Sequence, residues 1–328
     1  MFSVITIGDA LLDTHVQIDD ATVECGFADQ GCKLCLDYAG KVPITGSFQS
    51  LGGNAANVAA GAAKLGLTSA ILTSLGQDTN GKIVEAELVK NKIDTSLVSY
   101  DKETATRYSV VLNFKGERTI LSLHQKRNYP WPKKMPAVSW IYYTSLSEGF
   151  EPLQDELLKF LAQHPTVRLA VNPGSFQLKS ALEKIKEILP KTDLLIVNLE
   201  EAEKIAGFTL AKAKGVPAII HKILTLGVKE VAITDAARGA WCGNEEEVWQ
   251  MEAYPVKVIS KTGAGDAFAS GYMAAKQYDH DLHEALRWGI ANSCGIIGHF
   301  GAQVGLLDKE GLQKMIKAFP KVEPQKIT

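Results

Sequence analysis

Short β-rich runs alternate with helical runs along most of the chain, and few folds accept that alternation: a largely parallel sheet with helices on both faces. The strand candidates are Val4 to Ile7, Ala70 to Thr73, Trp140 to Thr144, Leu169 to Asn172, Leu194 to Asn198 and Val231 to Thr234. Helices are read at Asn54 to Leu65, Lys82 to Asn91, Leu153 to Gln163, Ser180 to Leu189, Leu199 to Ala206, Gly263 to Gln277, Leu282 to Phe300 and Lys309 to Ala318. No repeat or low-complexity linker divides them, so residues 1–328 are read as a single α/β domain, a length that leaves room for a small appendage.

Two segments break the alternation, residues 14–48 and 97–123, and both look antiparallel and strand-rich. Thr106, Tyr108, Val110 and Leu112 alternate with Arg107, Ser109, Val111 and Asn113, and Lys115-Gly116-Glu117 supplies a hairpin turn.

A net charge of −2 argues against nucleic acid as a partner. The N-terminus has no basic leader, and no apolar run reaches membrane-spanning length, so a cytoplasmic location without a membrane partner is expected. Five cysteines, an odd number, do not look like a disulfide framework. Cys25, Cys32 and Cys35 cluster, but a complete metal-ligand set is missing, and they are read as reduced packing cysteines.

Chemistry concentrates in Ser260-Lys261-Thr262-Gly263-Ala264-Gly265-Asp266, a glycine-rich turn that delivers one carboxylate into the first turn of a helix. Gly263 and Gly265 let backbone N–H groups approach an anion closely, and the helix dipole favours negative charge there. Asp266 then faces that anion, where its use is to take a proton from an attacking hydroxyl. The plain alternative is a loop capped by Asp. A second cluster, Leu51-Gly52-Gly53-Asn54-Ala55-Ala56-Asn57, opens an alanine-rich helix, with Asn54 and Asn57 three apart on one face.

Gly-Gly-Asn-Ala-Ala-Asn followed by Thr-Gly-Ala-Gly-Asp resembles the two signatures of the ribokinase-like (PfkB) sugar kinase family, and the resemblance spans nearly the whole chain. It implies a ribokinase-like three-layer sandwich with a mostly parallel central sheet and a small β-sheet lid built from the two segments above. It also implies an ATP-dependent phosphotransferase acting on the hydroxymethyl group of a sugar, with Asp266 as base and Gly263, Ala264 and Gly265 donating N–H groups to the phosphoryl in transit. No Walker-type Gly-x-x-x-x-Gly-Lys-Ser/Thr and no Gly-x-Gly-x-x-Gly accompanies these motifs.

Other positions match the family one at a time. Asp13, in Gly8-Asp9-Ala10-Leu11-Leu12-Asp13, matches the carboxylate that grips substrate hydroxyls, with Gly52, Gly53, Asn54 and Asn57 on the same side; Asp9 is read as a turn residue. Asn198 and Glu201 match an Asn-x-x-Glu motif whose Glu organises Mg²⁺ through water, although the same spacing is also a helix-capping arrangement. Thr234 and Gly239 match the nucleotide turn, where Ala236 replaces a usual glycine. Asn292 is placed beside the adenine, and an exposed helix residue fits equally. Ser260 and Lys261 stand where the family often has Asp-Thr, a loss of one negative ligand and a gain of positive charge, so no dependence on a monovalent cation is expected.

The acceptor stays open between a sugar and a nucleoside. Lys126, Arg127 and the lid residue Arg107 either receive a phosphate or carboxylate of the substrate or face water, as exposed cations ordinarily do. Phe27, Tyr108 and Phe114 either stack on a nucleobase or pack the lid. A non-catalytic ligand-binding member of the fold is the alternative of another class. Free sheet edges on the lid make a homodimer through it an expectation.

Overall fold

The computed structural model describes residues 1–26 and 32–327. Among these, the central sheet has ten strands in the order Gln325–Lys326, Val248–Met251, Ala240–Gly243, Glu230–Thr234, Leu194–Asn198, Arg168–Val171, Val138–Tyr143, Phe2–Ile7, Ser69–Gly76 and Val98–Asp101. The run from Val98–Asp101 to Glu230–Thr234 is parallel, and the strands beyond it turn antiparallel.

Strand residues alternate between two apolar layers. Ile5, Ile7, Ile141, Tyr143, Val171 and Ile233 pack on the helices Glu151–Gln163, Leu199–Ala206 and Val216–Leu224. Val4, Trp140, Tyr142, Ala170, Ile196 and Ala232 pack on Ala264–Gln277, Leu282–Ile297 and Lys309–Ala318. Burying each large side chain contributes about 1.5–3 kcal/mol, so slipping a strand by one residue is prohibitive and its facing is fixed. The result is the expected three-layer sandwich. No helix among the described residues is long and apolar enough to cross a membrane.

Several elements differ from the sequence reading. The strands Ala240–Gly243 and Val248–Met251 were not anticipated. Nor was the helix Val216–Leu224, whose apolar run reads as helix or strand until Gly215, at φ 88°, and Pro217 in its first turn settle the start. The helix expected from Ser180 to Leu189 runs over Leu182–Ile188, and a separate short helix, Ser175–Ser180, not anticipated, precedes it, set apart where Ala181 takes φ −143°.

The small sheet has the order Ile44–Gly52, Leu11–Ile18, Tyr108–Phe114 and Glu117–Ser122. It is not wholly antiparallel: Leu11–Ile18 and Tyr108–Phe114 run parallel, because both leave the same carboxyl edge of the central sheet. Val98–Asp101, expected in the lid, instead pairs parallel with Ser69–Gly76, as a strand-helix-strand unit closes onto its own sheet. The hairpin turn at Lys115 and Gly116 is as expected, with both residues at positive φ (48° and 82°).

Thr22–Cys25 and Cys32–Cys35 form a separate exposed ribbon. Cys25 and Cys32 are disulfide-bonded, which corrects the reading of reduced packing cysteines: they oppose each other across the ribbon, and neither is buried. Cys35, Cys242 and Cys294 are free thiols, the last two buried.

The helices Asn54–Lys64 and Ala264–Gln277 approach closely at Gly61, where an added Cβ would collide with the fully buried Ser270 side chain. Gly61→Ala should therefore cost about 1–3 kcal/mol through overpacking, measurable as a lower urea midpoint with an unchanged m-value.

Candidate active site

The chain continues from Phe2–Ile7 to Ser69–Gly76 on one side and from the adjacent Val138–Tyr143 to Arg168–Val171 on the other, so connections diverge between these two neighbouring strands and open a crevice at the carboxyl edge of the sheet. Asp9 follows Phe2–Ile7, and Asn198 and Thr234 end their strands at the same edge.

Asp266 sits in the first turn of the helix Ala264–Gln277, behind an N-cap Gly263 at φ 77°. A Cβ on Gly263 would run into the Ala302 backbone at 2.8 Å, so this turn requires glycine twice over. Gly265 differs, since a Cβ there would meet no atom within 4 Å: its backbone faces open space. Among the described residues, the Gly265 and Asp266 N–H groups have no acceptor, leaving an anion site at a helix N-terminus.

The Asp266 carboxylate accepts a hydrogen bond from Asn57 Nδ2 at 2.8 Å, and Asn57 Oδ1 in turn accepts from Gln303 Nε2 at 2.9 Å. Burial pushes the Asp266 carboxyl up to about 7; hydrogen bonds from Asn57 and Asn54 oppose that shift, while the charges of Glu201 and Asp13 add to it. Asn54 and Asn57 thus share one face, as their spacing predicts, and both act on Asp266.

Asp13 lies on the lid strand Leu11–Ile18, opposite Ser50 and Ser109. A side chain on Gly52 would strike the Asp13 carboxyl, and one on Gly53, at φ 94°, would strike the Asp9 carbonyl. The paired glycines therefore let the carboxyl-bearing strand lie directly against the start of the helix Asn54–Lys64. Burial raises the Asp13 carboxyl to about 6, against the Ser109 hydrogen bond and the Arg107 and Arg118 charges.

Asp9 is more than a turn residue. It is buried, pairs with the Arg107 guanidinium and accepts the Tyr129 hydroxyl at 2.7 Å. Arg107 also donates to the Leu123 carbonyl. Arg127 is buried too, donating to the Ser74 and Ala105 carbonyls, so neither arginine is the exposed cation that composition suggested. Lys126 is exposed.

Beside the turn that carries Asp266, at Ala264 and Gly265, is a mainly apolar cavity of about 570 Å³. Thr234, Gly239 and Gly265 line it, with Tyr254, Val256 and Phe268. Ala236 adopts φ 45°, so the turn does demand the left-handed conformation that glycine supplies more cheaply. Asn292 is not part of this lining. It is fully buried between helices, donating to the Ala267 carbonyl and Ser270 Oγ and accepting from the Leu307 N–H; its neighbours Ser293 and Cys294 reach the cavity instead.

Asn198 and Glu201 form a capping box: Asn198 Oδ1 accepts from the Glu201 N–H at 2.9 Å, and Glu201 Oε2 from the Asn198 N–H at 3.0 Å. Burial raises the Glu201 carboxyl above its usual range, against that N–H.

A model of the pfkB family carbohydrate kinases matches residues 18–309. The chain belongs to that family. Its members are phosphotransferases with an alcohol acceptor. The ATP-dependent 6-phosphofructokinase of Thermoanaerobacterium thermosaccharolyticum is 25% identical over 330 residues, 96% of this chain and 94% of that protein. The ribokinase of Haemophilus influenzae is 25% identical over 257 residues, 77% and 82% of the two chains. Arabidopsis thaliana ribokinase complexed with ribose and ATP has the same fold, with a TM-score of 0.80 at 20% identity over 96% of this chain and 99% of that one.

Within this pfkB family chain, the tertiary structure adds residues that the motifs did not reveal. Gln303 orients Asn57, Ser109 faces Asp13, and Tyr129 holds Asp9. None carries a local sequence pattern. Of the aromatic candidates, Tyr108 is exposed, Phe114 is buried beneath Lys115, and Phe27 lies outside the described residues.

The folded Asp266 keeps its proton to about pH 7, whereas the unfolded one loses it near 4. Ionising this group therefore costs stability as pH rises across that window. Asp266→Asn removes the cost, so its gain in Tm over the wild type should grow from about pH 5 to about pH 8; a constant difference across that range would contradict the buried carboxyl.

Proposed function

We propose that the protein transfers the γ-phosphoryl of ATP to a hydroxymethyl group of a sugar or sugar derivative, with Asp266 as the general base. The observation that carries this reading is a buried carboxyl titrating near neutrality beside free helix N-terminal N–H groups, with an apolar cavity beside the same helix N-terminus and the Asp13 carboxyl on the lid. A base with a pKa near the working pH combines a useful ionised fraction with useful proton affinity.

In this reading Asp13 accepts hydrogen bonds from acceptor hydroxyls and orients the molecule, while Asp266 takes the proton of the attacking hydroxyl. The Gly265 N–H and its neighbours in the turn stabilise charge on the phosphoryl. The cavity beside Thr234 and Gly239 suits a flat, largely apolar base, and Asn292 supports the helices behind it. Mg²⁺ bound with ATP neutralises phosphate charge; Glu201 would hold it through water, since no group of three or more metal-ligating side chains occurs among the described residues. A purely ligand-binding role gives the buried Asp266 carboxyl no task.

We place the reaction in the cytoplasm and the protein in a dimer through its lid, whose outer strands Ile44–Gly52 and Glu117–Ser122 have free edges among the described residues and carry exposed Ile44, Phe48, Ile120 and Leu121.

Asp266→Asn should lower kcat by about 10²–10⁴ while leaving ATP binding intact, and Asp13→Ala should chiefly raise the acceptor KM. In the wild type, kcat/KM should fall as pH drops below about 7, as Asp266 takes up its proton. Magnesium-dependent ADP release stimulated by an acceptor is the assay for all three, and an Asp266→Asn enzyme as fast as the wild type would sink the assignment. Ser260 Oγ is occupied by Thr262 and Lys261 reaches Glu117 at 3.1 Å, so exchanging sodium for potassium should change turnover less than about twofold.

A further inference from the structure

Residues directly opposite one another in a sheet share a face. In the lid, Asp13 shares its row with Ser109 and Ser122; two pleats further along the same face, the row is Gln17, Asn113 and Arg118. The separation along the strand is about 13 Å, four residues at about 3.3 Å each. This second row and the loop before the Asp266 helix, at Ser260 and Lys261, enclose a cavity of about 200 Å³.

Among the described residues, Arg118 is left unpaired in this cavity. It is half-buried, and burial depresses its basicity. Among the described residues, its guanidinium has neither an ion-pair partner nor a side-chain hydrogen bond. The other cations in the lining are engaged: Lys261 pairs with Glu117 at 3.1 Å, and Lys115 lies 5.0 Å from the Phe114 ring centre. The other lid and hinge arginines, Arg107 and Arg127, are committed to Asp9 and to backbone carbonyls. Asp19 also lines the cavity, exposed and without an ion pair to Arg118. Among the described residues, the Gln17 side chain makes no hydrogen bond either. Partly desolvating a guanidinium without a partner is unfavourable and is relieved by an anion in the space it faces.

Asp13 and Arg118 lie on the same face of the lid, and the cavity at Arg118 is bounded by the loop that leads to Asp266. An acceptor gripped by Asp13 and extending along that face brings a group remote from the reacting hydroxyl toward the guanidinium. We infer that Arg118, with the Gln17 amide beside it, is the subsite for an anionic group, phosphate or carboxylate, carried by the acceptor remote from the hydroxyl that reacts. The inference rests on the phosphotransferase reading above and narrows its substrate class to anionic sugars. A planar fork of donors suits either anion in bidentate fashion.

The test is calorimetric titration of the full-length protein, holding Mg²⁺ and a non-hydrolysable ATP analogue, with fructose 6-phosphate, its neutral parent fructose, and the carboxylate 2-keto-3-deoxygluconate. One anionic compound should bind about tenfold or more tighter than fructose, and Arg118→Gln should weaken that compound about 10- to 100-fold while sparing fructose and the nucleotide, with Arg118→Lys in between. Which anion responds distinguishes phosphate from carboxylate. Gln17→Leu should give a smaller loss of the same kind and serves if Arg118→Gln does not fold. Fructose binding as tightly as both anions, failure of both anions to bind, or equal losses for charged and neutral ligands in Arg118→Gln would overturn the subsite. ADP release measured alongside separates the two readings. Selective anion binding without release by any compound undoes phosphoryl transfer and leaves the subsite; release stimulated by fructose alone does the reverse.

Discussion

The hydrogen bond from Asn57 to Asp266 ties together the two helices whose N-termini face the crevice, and the rest of the site is arranged around it. Each helix brings the positive end of its dipole and unsatisfied N–H groups toward the same space. Those groups favour an ionised carboxyl, yet burial outweighs them and leaves Asp266 titrating near neutrality. The balance depends on small residues between the two helices and at the start of the one that bears the carboxyl. Gly61 lets the helices approach over Ser270, and Gly263 lets the turn sit on Ala302. Bulk at either place would meet Ser270 or Ala302, on the segments that hold Asn57 and Asp266 together.

The small sheet is joined to this centre by a buried polar knot. Asp9 from the central sheet, Arg107 from the entry to the lid and Tyr129 from its exit meet in one cluster. Such a pair adds little net stability, because desolvation offsets much of its attraction, but removing one partner strands a buried charge. Its effect is positional. It fixes where the lid strands leave the core, and thereby where Asp13 and the row bearing Arg118 hang over the crevice.

The layered fold was legible because strand alternation and helix periodicity are local, and burial rewards the same facing that they specify. Elements without a clear period escaped. Val216–Leu224 is apolar enough to read either way, and the pairing of Val98–Asp101 with the central sheet depends on a crossover rather than on its own residues. The cysteines were misread for a related reason: Cys25 and Cys32 oppose each other only because the ribbon register brings them together.

By itself the sequence determined the alternation of strands and helices, the glycine turn that opens the helix bearing Asp266, and that Asp13, Asn57 and Asp266 stand in motifs at the ends of such elements. These follow from steric limits and from periods of a few residues. Only the tertiary structure decided what each charged side chain faces. Arg107 and Arg127 turned inward, Asn292 became a helix clamp, and Arg118 was left half-buried without a partner among the described residues. Charge interactions act across space between residues far apart in the chain, and low dielectric makes their sign and magnitude depend on burial, which no short stretch of sequence records.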